Sequence, residues 1–140
     1  MKSYLQKVKD KIILDLIAMS EKFDFNPGLY IGKTEDFEKS TERHISDGLP
    51  ILLRIAEGNP EDIALLEDAL ISWAQNQNND VFKCLNTNRG SGGNINANKL
   101  NICFDTSVEG DELFEMDEMQ FLGNEYPIDL QCLKNEAKDK

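Results

Sequence analysis

Histidine and tryptophan each occur once in these 140 residues, cysteine three times and proline four times. A single histidine argues against a zinc centre, so any metal has to be a hard cation held by carboxylates, such as Mg2+ or Mn2+. Cys84, Cys103 and Cys132 contain no C-x-x-C pair, and one of the three is necessarily odd. Reduced thiols in a cytoplasmic protein are the simplest reading. No apolar run approaches the roughly 20 residues that a bilayer requires, and the N-terminus lacks the cleavage pattern of a secretory signal, so no membrane partner is expected. Bases are scarce as well, 15 against 26 acids, for a net charge of −11. Taken over the whole chain, that excess argues against nucleic acid, whose affinity comes mainly from cations meeting phosphates.

What is present changes that picture. The chain is 40% hydrophobic, enough for one globular domain with a real core. Residues 105–140 carry 11 acids and 3 lysines, a net −8, whereas residues 1–104 are close to neutral at −3. The expected organisation is therefore a core over 1–104, opening with an added N-terminal helix, and an acidic C-terminal extension over 105–140 packed on the same domain.

Leu5, Val8, Ile12, Leu16 and Met19 recur at helical spacing and predict an amphipathic helix over 3–22. The Phe-Asn-Pro-Gly stretch at 25–28 reads as a turn, and "LYIGK" after it as a short strand. Thr34, Glu35 and Asp36 suit a helix N-terminus, with the helix running to about Ser46. "ILLRIAEG" from Ile51 reads as a buried strand. Asn59-Pro60-Glu61-Asp62 then gives a cap, a proline at the first helical position and two acids, for a helix to about Asn76. "VFKCLN" and "KLNICF" read as further strands on either side of a Gly/Asn-rich loop. The fold class is α+β, a small, mainly antiparallel central sheet flanked by helices.

Two positions resist this simple partition. On a wheel of about 100° per residue, Ile63, Leu66, Leu70, Trp73 and Ala74 share a face, and Glu67 falls inside that apolar stripe. A carboxylate there is costly unless it is paired, binds a metal or opens on a cleft. The plain alternative is a Glu at the core margin, its stem packed and its head in water or paired with Arg54. In the preceding helix, Phe37, Thr41 and Ile45 define the packed side. Ser40 and His44 lie one above the other along its edge, with Arg43 on the adjacent outward strip. The plain reading of such a histidine is structural.

The Gly-Lys-Thr at 32–34 is not a nucleotide-binding loop. That loop needs four residues between its first glycine and the Gly-Lys-Thr, and here only Leu29, Tyr30 and Ile31 separate Gly28 from Gly32.

"YIGKTEDFEKSTERH", "ILLRIAEGNPEDIALLEDALI" and "CLNTNRGSGG", in that order over about residues 28 to 93, resemble the second half of the GIY-YIG nuclease domain. The resemblance implies a metal-dependent DNA endonuclease. Tyr30 would stand near the attacking water or the scissile phosphate, Lys33 would face the phosphate or assist the base, and His44 would be the helix histidine. Glu67 would be the one carboxylate ligand of a Mg2+ or Mn2+ ion, and Asn86, or Asn88, the structural asparagine. Two departures stand out. Ser40 occupies the place of the family's catalytic arginine, leaving Arg43 on a different strip of the helix to supply that charge. The first Gly-Ile-Tyr strand is missing before Tyr30, so that either another strand, for instance from the C-terminal region, fills its place or the sheet is remodelled.

Loss of an arginine and a tyrosine from such a site removes transition-state stabilisation, each loss commonly about a hundredfold or more. Two functions therefore compete: a divergent nuclease acting on DNA, and an inactive relative that binds nucleic acid or a protein partner. The acidic, apolar-studded C-terminal region fits the second, since it can imitate a phosphate backbone or dock on a basic protein. The plain alternative for that region is a solvated edge, acidic for solubility.

Overall fold

The computed structural model describes residues 2–21, 28–39, 42, 51–76, 82–86, 95–105 and 126–138. The apolar spacing of the opening segment produces helix α1 (Ser3–Ser20), with Leu5, Val8, Ile12 and Leu16 buried and Leu14 on the outer side, 66% exposed. Strand β1 (Gly28–Thr34) follows, one residue longer at each end than "LYIGK". Residues 37–39 are helical, and Asp36 caps this turn by accepting from the amides of Glu38 at 2.9 Å and Lys39 at 3.3 Å.

Strand β2 (Ile51–Glu57) leads through Gly58 into helix α2 (Pro60–Asn76). The Asn59 side chain accepts from the Asp62 amide at 2.8 Å and donates to the Asp62 carboxylate at 3.1 Å. Cap and third helical residue thus satisfy one another, as in a capping box, with the acid facing the positive end of the helix dipole.

The remaining strands are β3 (Lys83–Cys84), β4 (Lys99–Asp105) and β5 (Ile128–Asp129). They complete a five-stranded mixed sheet in the order β3-β1-β4-β2-β5. The two long pairings, β1 with β4 and β4 with β2, are antiparallel, and the two short edge pairings are parallel. The fold is α+β, a mixed sheet flanked by helices. Strand β4, well downstream of β1, takes the place between β1 and β2. The "VFKCLN" strand shrinks to two residues.

Helix α3 (Leu130–Lys138) was not anticipated from the sequence, nor was β5 before it. Asp129 caps α3 by accepting from the Cys132 amide at 3.1 Å, while β5 pairs with β2 and α3 packs on α1. Part of the acidic C-terminal region therefore joins the same sheet and core.

Leu29 and Ile31 of β1, Leu53 and Ile55 of β2, and Leu100, Ile102 and Phe104 of β4 meet α1 and α2 in the main core. The opposite face of the sheet carries a smaller cluster in which Tyr30 packs with Phe37 and Cys103. No helix among the described residues is long and apolar enough to cross a membrane.

Candidate functional site

Strand alternation sends Leu29 and Ile31 into the main core and turns Tyr30 and Gly32 to the other face. Cross-strand register puts Cys103 opposite Tyr30 and Asn101 opposite Gly32 on β4, with Leu52 and Arg54 next in line on β2. Gly32 is needed there. A Cβ on it would lie 3.0 Å from Asn101 Oδ1 and 3.1 Å from Tyr30 Cε1, so its bareness lets the phenol ring and the amide settle against the strand. Asn101 and Cys103 are buried beneath this face. Arg54 is exposed, its guanidinium 5.5 Å from the centre of the Phe37 ring.

Asn86 follows directly on the short edge strand. Its side chain accepts from the Ile31 amide and donates to the Ile31 carbonyl, both at 2.9 Å. One amide thus replaces the backbone partner that Ile31 would otherwise find in a longer β3, and fixes β1 in place. This is a structural role, and it belongs to Asn86; Asn88 lies outside the described residues. The neighbouring thiol of Cys84 is pushed up by burial, so it stays protonated and offers no nucleophile at neutral pH.

Glu67 is 6% exposed on α2, among Leu66, Leu70, Ile71 and Ala74, and α2 covers the Leu29/Ile31 face. Lys33, by alternation, leaves β1 on that same side. Tyr30 therefore lies on one face of the sheet, and α2, which carries Glu67, packs on the other. Arg54 is not the partner of Glu67, being stacked on Phe37 across the sheet. Ser40, Arg43 and His44 lie outside the described residues, as do residues 106–125.

A hydrated divalent cation on one carboxylate needs an open position with room for several waters. Glu67 sits in an apolar stripe of α2 and is 6% exposed. No group of three or more His, Cys, Asp or Glu among the described residues is arranged to hold a metal. The described residues alone therefore do not assemble the Mg2+ or Mn2+ site that the family resemblance implies.

Sequence reasoning missed two other arrangements. Asp62, 1% exposed, accepts a 2.6 Å bond from the Tyr4 hydroxyl and lies 3.9 Å from Lys2 Nζ, tying the start of α1 to the start of α2. Burial, the hydrogen bond to Asp62 and its charge hold the Tyr4 hydroxyl up at about 12. The available signal was an acid at the third helical position after an asparagine cap, but nothing in the spacing named Tyr4 as its partner. A groove of about 460 Å³ also runs between α1 and α3, lined by Lys7, Val8, Ile128, Leu133 and Glu136 among others. It opens on the α1 side of the molecule, away from Tyr30, and shares no residue with the Tyr30 face.

Comparisons with protein-family models, with curated proteins and with solved structures gave no match for this chain.

Proposed function

We propose that this chain is a divergent relative of the GIY-YIG nucleases that binds the phosphate backbone of DNA on the Tyr30 face and does not cleave it. The Tyr-Ile-Gly strand clamped through Ile31 by Asn86, with Gly32 left bare beside Tyr30, is the observation that carries this reading. An antiparallel strand alongside β1, here β4, is consistent with it.

Loss of cleavage follows from where the carboxylate sits. In-line hydrolysis needs the cation, the attacking water and the phosphate within one cluster. Glu67 is carried by α2, which packs on the side of the sheet away from Tyr30, and Ser40 stands where the family has its arginine. What the Tyr30 face offers to solvent among the described residues is the exposed guanidinium of Arg54, a group suited to holding an anion. Binding without base readout is then electrostatic and weakens steeply as salt rises.

Fluorescence anisotropy with a short labelled duplex tests this. The expected result is salt-sensitive binding that EDTA leaves unchanged, both in the wild type and in Glu67→Met. Binding abolished by EDTA would restore the metal to the account. Absence of binding at low salt would remove DNA from it, leaving a protein partner for the acidic C-terminal region.

A further inference from the structure

Among the described residues, Arg54 is the cation that stands out from the Tyr30 face. It lies where β2 departs from regular pairing: partners run in register from Ile51 to Arg54, then slip between Arg54 and Ala56. Such an irregularity re-aims the side chain beside it. Asn101, directly in line with Arg54 on this face, and Cys103, diagonal to it, are buried, while Arg54 is exposed. The guanidinium rests on Phe37, which itself packs on Tyr30 and Cys103. Among the described residues the ion pairs are Lys2–Asp62 and Lys9–Asp10, so Arg54 has no carboxylate partner there. In a chain with 26 acids, an arginine held by an aromatic ring rather than by an acid keeps its donors available for another anion.

We propose that Arg54, held in place by Phe37, is the phosphate anchor of this face, taking two oxygens of one phosphate group through its planar fork of N–H donors. Stacking leaves the edge of the guanidinium free, and the edge carries those donors. The ring also limits the rotamers of a long side chain, so less freedom is lost on binding. Lysine would supply the charge but neither the fork nor the stacking. The proposal rests on the phosphate-binding reading of the Tyr30 face and adds the residue that does the holding.

Two measurements separate failure of the proposal from failure of that reading. In the first, inorganic phosphate is titrated into the labelled wild type while the Arg54 side-chain Nε–H resonance is followed by NMR. A saturable shift there, larger than at other arginines, is expected whether or not DNA binds; no shift, or an equal shift at every arginine, overturns the proposal. In the second, duplex anisotropy compares wild type with Arg54→Ala, Arg54→Lys and Phe37→Leu. The expected result for Arg54→Ala is a loss of roughly tenfold at low salt, with the slope of log affinity against log salt reduced by about 1. Arg54→Lys should keep the slope and recover part of the affinity, and Phe37→Leu should weaken binding with the slope unchanged. Wild-type binding matched by Arg54→Ala in affinity and slope overturns the anchor while leaving the face a DNA binder. A wild type that binds phosphate at Arg54 but no duplex supports the anchor and contradicts the DNA reading.

Discussion

At the residue scale, buried polar groups decide most of what this chain can do. Asp62 is buried because Tyr4, Asn59 and Lys2 converge on it. The Tyr4 hydroxyl, at about 12 against an ordinary 10.0, keeps its proton in the fold where the unfolded chain has lost it. The unfolded state then binds fewer protons than the native one. Stability from this contact is therefore complete below about pH 10 and is lost as pH rises toward 12. Tyr126, half-buried and bonded to Asp15, is pushed up as well and acts in the same direction. Thermal melts from about pH 8 to about pH 11 should show Tm falling above pH 10. Tyr4→Phe should lower Tm at neutral pH, by about 1–3 kcal/mol of stability, because the buried carboxylate loses a donor. It should also flatten part of the alkaline fall. An alkaline profile identical in wild type and Tyr4→Phe would show that this pair does not couple stability to pH.

At the scale of elements, the segments that specify themselves locally were legible and those that depend on distant partners were not. Leu5, Val8, Ile12 and Leu16 need only their own spacing to declare α1, and the Asn59-Pro60 start of α2 is written in four consecutive residues. That α2 buries a glutamate was also readable from its wheel. The face of the sheet behind that glutamate was not, because periodicity fixes a residue relative to its own element and says nothing of where Tyr30 points. Placing β4 between β1 and β2 required pairing across some seventy residues, which no local pattern encodes. Helix α3 is not legible locally because, among its described side chains, the apolar ones turned inward are Leu130 and the half-buried Leu133, too few to show a period. Arg54 sat in plain view as the charge interrupting "ILLRIAE". Its role emerged only with Phe37, brought over it by the helical turn after β1.

At the scale of the molecule, charge works against the proposed ligand. The protein carries −11, of which −8 belongs to residues 105–140, so a duplex approaching Arg54 meets a repulsive long-range field. Neutralising Glu112, Glu115, Asp117 and Glu118 to Gln or Asn should strengthen duplex binding at low salt. The gain should shrink as the Debye length falls to about 8 Å near physiological ionic strength. Equal affinity for the neutralised and native proteins at low salt would show that the acidic region plays no part in binding, and poorer solubility alone would mark it as a solubilising edge.

The account stands or falls on whether binding occurs without hydrolysis. The direct measurement is plasmid nicking by wild type and Ser40→Arg with Mg2+ or Mn2+, under conditions where anisotropy shows the duplex to be bound. On the proposed reading, with α2 and its Glu67 packed on the far side of the sheet from Tyr30, an added arginine is expected to leave the metal site unassembled. Both proteins should therefore leave the plasmid supercoiled at every metal concentration. EDTA-sensitive nicking by the wild type, or its appearance on Ser40→Arg and disappearance with Glu67→Ala, would contradict the account and place Glu67 in a working catalytic site.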